Sequence, residues 1–510
     1  MKIRSLTGAV ALAGMVLTAC GSGGSGGTAA NAAGGTAGAA GKANPDATVT
    51  IGLVLEPGSL DITKASGAAI GQVLLNNVYQ GLLQRDDKGA VTPALATSYQ
   101  VSHDGKTYTF TLRDNVTFQD GSPLRAADVV ASLNKVIAPG SVNPNASDLA
   151  SVASVAAPDA KTVVLTLKER DTNLTYRLTG AAGAVIREGA TDLDTRPVGT
   201  GPFRFDSWRR GDSITLVRND QYWGTKAGVT KVVFRYITDP NAQNNAVKTG
   251  QVDIGTIAES ELVNSYQGNP NFVVVTGTST DKFILGVNHA RTPLSDARVR
   301  HAIRQGINKD GLIKILGGGT RIGSSVPPLD PWYEDLTGID RYDPANARKL
   351  LADAGYAGGL NLTLTVANIY PPSVSEYVRS QLQDVGITVK ITSVEFPTWL
   401  TQVYKNADYD LSIVDHAEPR DLGNYAKPGY YWRYDSPAAQ QDYRAAVTAS
   451  SDAERDQNLR KLARQISEDA ASDWLLLGPA RQVARVGVTG FPTNNLSSLY
   501  DASKIEARKS

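Results

Sequence analysis

The sequence predicts a mixed α/β protein of two or three lobes, preceded by an export signal and a tether. Three observations carry this. A chain of 510 residues is too long to close around one hydrophobic core. Along its body, short β-branched runs alternate with segments of helical periodicity. Residues 21–46, by contrast, hold almost no large side chain.

At the start, Lys2 and Arg4 precede an apolar stretch from Leu6 to Leu17, followed by Thr18-Ala19-Cys20. So short a stretch does not readily span about 30 Å of hydrocarbon, and it reads as a secretory signal over residues 1–19. The small residues before Cys20 resemble a bacterial lipobox. Cleavage there leaves Cys20 to carry acyl chains (palmitate among them) on the outer face of the cell membrane. The alternative is an ordinary signal cut near Ala19, with Cys20 a free thiol. Cys20 is the one cysteine of the sequence, so no disulfide competes for it. Residues 20–46 cannot bury enough surface to fold and form a flexible tether. The G-x-S-x-G spacing of Gly23–Gly27 lies in this tether, without the strand and helix that would give it meaning.

In the body, 48–55 reads as a strand and 68–83 as a helix, with Ile70, Val73, Leu74, Val78 and Leu82 at helical spacing. Residues 98–101 and 108–112 alternate at period two around Asp104-Gly105, which predicts a hairpin. A helix over 126–136, starting under Ser122, and a strand over 162–167 follow. Strands are then expected at 213–218, 232–236, 272–275, 283–287, 362–366, 388–394 and 411–414. Helices are expected at 241–249, 296–305, 309–316, 344–354, 374–385 and 453–469.

Charge excludes one class. With 51 basic and 50 acidic residues the net charge is +1, unlike the basic excess of a general nucleic-acid binder. The histidines, His103, His289, His301 and His416, form no metal-ligand spacing, so a bound free metal ion such as nickel is not expected and no cofactor is implied. A lipoprotein hydrolase would need a nucleophile beside a base, and no such motif is found.

Several motifs occur in a fixed order. Ser102-His103-Asp104-Gly105-Lys106-Thr107-Tyr108-Thr109-Phe110 leads to Phe118-Gln119-Asp120-Gly121-Ser122-Pro123 and Ala127-Asp128-Val129. Leu60-Asp61 precedes them. Gly199-Thr200-Gly201-Pro202-Phe203 follows, then Trp208, Arg218-Asn219, Tyr222-Trp223 and Gly250-x-Val252-Asp253-Ile254. Further on stand Asn288, Pro293-Leu294, Arg298-Val299-Arg300, Tyr342-Asp343-Pro344 and Ala354-Gly355-Tyr356. Together they resemble the family 5 solute-binding proteins, the extracytoplasmic receptors of oligopeptide, dipeptide and nickel ABC importers. The resemblance implies a two-lobed, periplasmic-binding-protein-like α/β fold (type II, a flytrap) with an extra sub-domain in the first lobe. The expected limits are 47–90, 195–290 and 480–510 for the first lobe, 91–194 for the sub-domain and 291–479 for the second lobe. It also implies no enzymatic activity, a monomer, and an ABC permease as partner. A sensory lipoprotein of the same fold is the alternative. Arg298 and Arg300 are expected to pair with neighbouring carboxylates, and Tyr222 and Trp223 to be packing.

For the cargo, the resemblance points to the segment after the 411–414 strand, where peptide-binding members hold the ligand amine. The family's Gly-Trp falls here at Asp415-His416 and its anchoring Asp at Pro419. Asp415, His416, Ala417, Glu418 and Asp421 are the ligand-binding candidates, with Tyr425, Tyr431 and Trp432 from an aromatic cluster that also holds Tyr430 and Tyr434. Ser66 and Phe283 fall where peptide-binding members place first-lobe contacts. The cargo implied is a peptide or similar amine-bearing solute, with a sugar, an opine or a metal chelate as alternatives. Alternatively, Asp415, Glu418 and Arg420 pair with one another at the surface and the aromatics are core.

Overall fold

A computed structural model describes residues 42–65, 67–256, 260–418, 420–496 and 499–508. The signal, Cys20, the tether up to residue 41 and Ser66 lie outside the described residues.

Two large sheets organise the body. The first has seven strands in the spatial order Phe272–Gly277, Ala480–Arg485, Ile254–Gly255, Thr48–Leu53, Lys231–Tyr236, Ser213–Arg218 and Phe203–Arg209. Thr48–Leu53 runs parallel to both of its neighbours, and the other pairs are antiparallel. The second has five, in the order Ile387–Val394, Leu360–Ala367, Leu411–His416, Lys282–Val287 and Ser472–Leu477. Helices such as Ala297–Gly306 and Pro372–Asp384 complete an apolar layer around Leu285, Val299, Val378 and Ile413. A separate four-stranded antiparallel sheet carries the 104–105 hairpin, Ala96–Val101 with Thr107–Leu112, and is covered by the helix Ala126–Ile137. Gly105 turns that hairpin at φ 69°, and a Cβ there would meet the Arg170 guanidinium at 2.6 Å.

The chain crosses between the large sheets twice, at 278–281 and at 478–479. On either side of the crossings the strands remain antiparallel neighbours: Phe272–Gly277 with Ala480–Arg485, and Lys282–Val287 with Ser472–Leu477. Sheet membership therefore changes before residue 282, short of the 290 boundary read from sequence, because Lys282–Val287 hydrogen-bonds into the second sheet.

Two local expectations are corrected. The helix expected over 68–83 ends as Ala68–Leu74. Asn76 adopts φ 63°, and Asn77 turns its side-chain amide to the carbonyls of Val73 (3.0 Å) and Tyr500 (2.8 Å). The backbone carbonyls of Asn77 and Val78 then accept from Phe203 and Gly201 instead of from a continuing helix. This explains the Gly-Thr-Gly-Pro motif: a Cβ on Gly199 would lie 2.0 Å from the Val78 carbonyl oxygen. Second, Arg125, not Ser122, is the N-cap of the next helix; Asp128 accepts its backbone N–H at 2.8 Å, while Ser122 bonds Asp120.

Arg298 pairs with Asp296 as expected, but Arg300 donates to backbone carbonyls of Leu294, Ser295, Asp469 and Ala470. Tyr222 and Trp223 bond Gln80 and border a depression of about 850 Å³. The depression is lined from segments 76–89, 202–228 and 490–506, and none of the described candidate ligand residues borders it.

Candidate functional site

The candidate segment sits beside the first crossing. Strands Lys282–Val287 and Leu411–His416 pair antiparallel, with Lys282 opposite His416 and Phe283 opposite Asp415. Because side chains alternate between faces, Lys282 and His416 share one face of the sheet, and Phe283 and Asp415 share the other. The two faces differ chemically.

The Lys282 face is closed. The Lys282 side chain is 0 % exposed, and its Nζ donates to the carbonyls of Glu418 (2.6 Å) and Thr280 (3.1 Å). It also lies 3.5 Å from Asp421 Oδ1. The other Asp421 oxygen is 3.0 Å from His416 Nδ1, and His416 Nε2 is 2.9 Å from the Tyr431 hydroxyl. Tyr425 stacks on Trp432 at 4.3 Å, and Trp474 donates to the Tyr425 hydroxyl. Burial pushes the Tyr425 and Tyr431 phenols well above the usual range. Asp421, His416, Tyr425, Tyr431 and Trp432 are thus placed in the core of the second lobe, bonded to or stacked on one another. Tyr434 of the aromatic cluster is buried as well, and Tyr430 is its half-buried member.

The opposite face is open chemically. Phe283 meets Tyr370 edge to face at 6.0 Å. Asp415 and Asp281 influence each other directly. Burial pushes the Asp281 carboxyl up to about 6, and burial together with Asp281 drives Asp415 well above the carboxylate range. Glu418 is exposed; its carboxylate adds a third negative charge that raises both. Ala417 is half-buried between them.

Arg420 does not pair with Asp415 or Glu418. Its guanidinium lies 4.2 Å over the Tyr176 ring and 4.9 Å from Trp332, with Asp330 at 3.8 Å. Burial raises Asp330 to about 7 and lowers Arg420, so desolvation outweighs their attraction at this distance. Tyr176 belongs to the helix Leu174–Arg177, so Arg420 ties the segment after the Leu411–His416 strand to that helix. Nearby, Thr172 N donates to the Val447 carbonyl at 2.9 Å and Arg177 reaches the Tyr443 hydroxyl at 3.2 Å.

Sequence reading missed Asp281, Lys282, Asp330 and Tyr370. The one signal for the first two was the charged pair Asp281-Lys282 opening an otherwise apolar strand.

Comparison with known proteins agrees with this architecture. The glutathione-binding protein GsiB of Salmonella typhi is 30% identical over 338 residues, 64% of this chain. The alignment spans 65% of that relative's length. The peptide-bound DppA structure from Helicobacter pylori superposes with a TM-score of 0.82 at 24% identity, covering 91% of this chain and 98% of that one. AgaA from A. tumefacien R10, solved with agropinic acid, gives 0.81 at 25% identity, covering 91% and 99%. Residues 90–438 match the model of the bacterial extracellular solute-binding proteins, family 5 middle region, and the chain belongs to that family.

Proposed function

We propose that this protein is the extracytoplasmic receptor of an ABC importer, capturing peptides or similar amine-bearing solutes. The observation that carries the reading is the acidic group of Asp281, Asp415 and Glu418 beside the segments that cross between the two large sheets. Two strand crossings suit a hinge, and a carrier that must both enclose and release its cargo needs two states. Within the reading, Asp415, Ala417, Glu418 and Phe283 face the solute, and Asp421, His416, Tyr425, Tyr431 and Trp432 support the loop from behind; Ser66, outside the described residues, is a further expected contact. Cys20 carries the lipid that keeps the receptor, a monomer, near its permease, with about 25 tether residues giving a reach of roughly 25–30 Å. An opine is the second candidate cargo, supported by the likeness to AgaA.

A thermal-shift screen of the mature protein against di- to pentapeptides, glutathione, opines, oligosaccharides and metal chelates tests this. A bound solute at 100 times its dissociation constant adds about 2.7 kcal/mol. A clear shift with a sugar and none with any peptide or opine would overturn the amine-bearing cargo.

A further inference from the structure

We propose that residues 492–495 act as a strap that makes 278–280 part of the first sheet's rigid body and confines hinge bending to Asp281, Gly478 and Pro479. This rests on the receptor reading above, whose two states need a hinge, and says where the chain turns and what holds the rest still.

The strap is anchored on the first sheet. Gln482, in the strand Ala480–Arg485, donates its side-chain amide to the Pro492 carbonyl. Thr493 then lies against the end of Phe272–Gly277, where a Cβ on Gly277 would stand 1.8 Å from the Thr493 carbonyl oxygen. Asn494 and Asn495 lace the first crossing. The Asn494 carboxamide accepts from Thr278 N at 2.9 Å and donates to the Asp87 carbonyl at 3.3 Å. The Asn495 backbone donates to the Thr278 carbonyl at 2.8 Å and accepts from Thr280 N at 2.9 Å. Residues 278–280 thus have a parallel partner in Asn495 where their ladder to Ala480–Arg485 has ended. With their backbone groups paired to it, they move with the first sheet.

The second sheet begins as abruptly. Lys282 pairs with His416 on one side and Leu477 on the other, and Leu477 exchanges backbone bonds with Thr320 at 2.8 and 3.0 Å. In the first crossing, only Asp281 is left between the two bodies. Its backbone N–H is held by Ser279 Oγ at 2.8 Å and its carboxylate by the Asn495 amide, both from the first-sheet side. In the second crossing, only Gly478 and Pro479 separate Leu477 from Ala480. Among the described residues one backbone bond joins the crossings within this gap, from Gly478 N to the Asp281 carbonyl at 2.8 Å. A hinge is a few element-end residues that absorb changes in φ and ψ between bodies that stay rigid. Asp281, Gly478 and Pro479 are those residues, and the strap keeps the first crossing from joining them.

Hydrogen–deuterium exchange of the mature full chain, resolved to single amides by fragmentation mass spectrometry, tests this. It needs no solute, so a cargo screen without a binder leaves the strap to be judged here, and a failed strap leaves the receptor reading standing. Relative to their unstructured rates, the Thr278 and Thr280 amides are expected to exchange about 10-fold or more slowly than the Gly478 amide, because opening strains the Gly478 bond and spares the strap. Asn494→Ala removes the acceptor of Thr278 N and is expected to speed that amide by about 10-fold. Asn494→Asp keeps the acceptor and is expected to restore the slow rate. Equal protection of Gly478 and Thr280 overturns the pivot. A Thr278 amide that stays slow in Asn494→Ala, or fast in Asn494→Asp, overturns the strap. Should Asn494→Ala not fold, the pattern of the parent and of Asn494→Asp decides.

Discussion

Lys282 holds the backbone of Glu418 from across the sheet: its buried Nζ donates to the Glu418 carbonyl at 2.6 Å, 136 residues further along the chain. The same ammonium faces Asp421, so one cation fixes both ends of the loop that follows the Leu411–His416 strand. Replacing it as Lys282→Met removes the charge but keeps much of the volume. Asp421 is then left buried without its cation, keeping only the His416 contact, which costs about 3–5 kcal/mol. Urea unfolding is expected to show that loss, and the double variant Lys282→Met, Asp421→Asn should recover a large part of it. A single variant as stable as the parent would remove Lys282 from this role.

A second prediction follows from Asp330, whose carboxyl is raised by burial from 3.8 to about 7. An acid whose pKa rises on folding holds its proton more tightly in the folded state, so its contribution to stability falls as pH climbs between those two values. Buried His289, lowered to about 4, works in the opposite sense, losing stability as pH falls from 6.5. Comparing Asp330→Asn with the parent isolates the Asp330 component. The variant is expected to match the parent near pH 4 and to be the more stable at pH 8. The reverse order at pH 8 would show that the pairing with Arg420 outweighs desolvation.

Gly199 supplies a third. A methyl group there would stand 2.0 Å from the Val78 carbonyl oxygen, backbone against backbone, with no flexible side chain to give way. Gly199→Ala is expected to cost about 1–3 kcal/mol and to lower Tm without altering the solute preference of the folded fraction. A variant melting with the parent would mean the 77–78 and 199–203 segments separate freely.

Most of the fold was legible because long segments keep one period. The strands over 162–167 and 213–218 agree with Thr162–Leu167, which alternates cleanly between buried and open positions, and with Ser213–Arg218, whose β-branched and apolar run is buried at Ile214 and Leu216. The helix over 68–83 failed because its apolar spacing continues past Asn77, while the Asn77 amide and the backbone of 201–203 compete for the carbonyls a helix would use. The site was only half legible. Asp415 and Glu418 stand in the motif segment, but Asp281, the residue before the Lys282–Val287 strand, acts on Asp415 from far upstream, and no local pattern announces that. Lys282 is harder still: a lysine at a strand start reads as solvated, and only the tertiary arrangement of two carbonyls and Asp421 makes its burial tolerable. Acidity misled as well, because Asp421 looked as available as Glu418 until the closed Lys282 face accounted for it.

The last prediction concerns release. Arg420 follows the acidic segment and places its guanidinium between Trp332 and Tyr176. Arg85 donates to the Tyr176 hydroxyl at 2.7 Å, so the ring is held in position from its own side. A guanidinium stacked between two rings in a partly desolvated place contributes about 1–2 kcal/mol. That energy goes to the contact of Arg420 with Tyr176 and Trp332, away from the carboxylates proposed to hold the cargo. Arg420→Leu removes the charge and the stacking while leaving Asp281 and Asp415 untouched. Dissociation of a bound solute is then expected to quicken by about 5–30-fold, with little change in association rate. Stopped-flow release of a fluorescent peptide checks this, with Tyr176→Leu as the partner variant. The two substitutions combined should cost no more than the larger one alone, since both break the same contact. If their effects add in full, Arg420 and Tyr176 act independently and the bridge has no part in retaining the cargo.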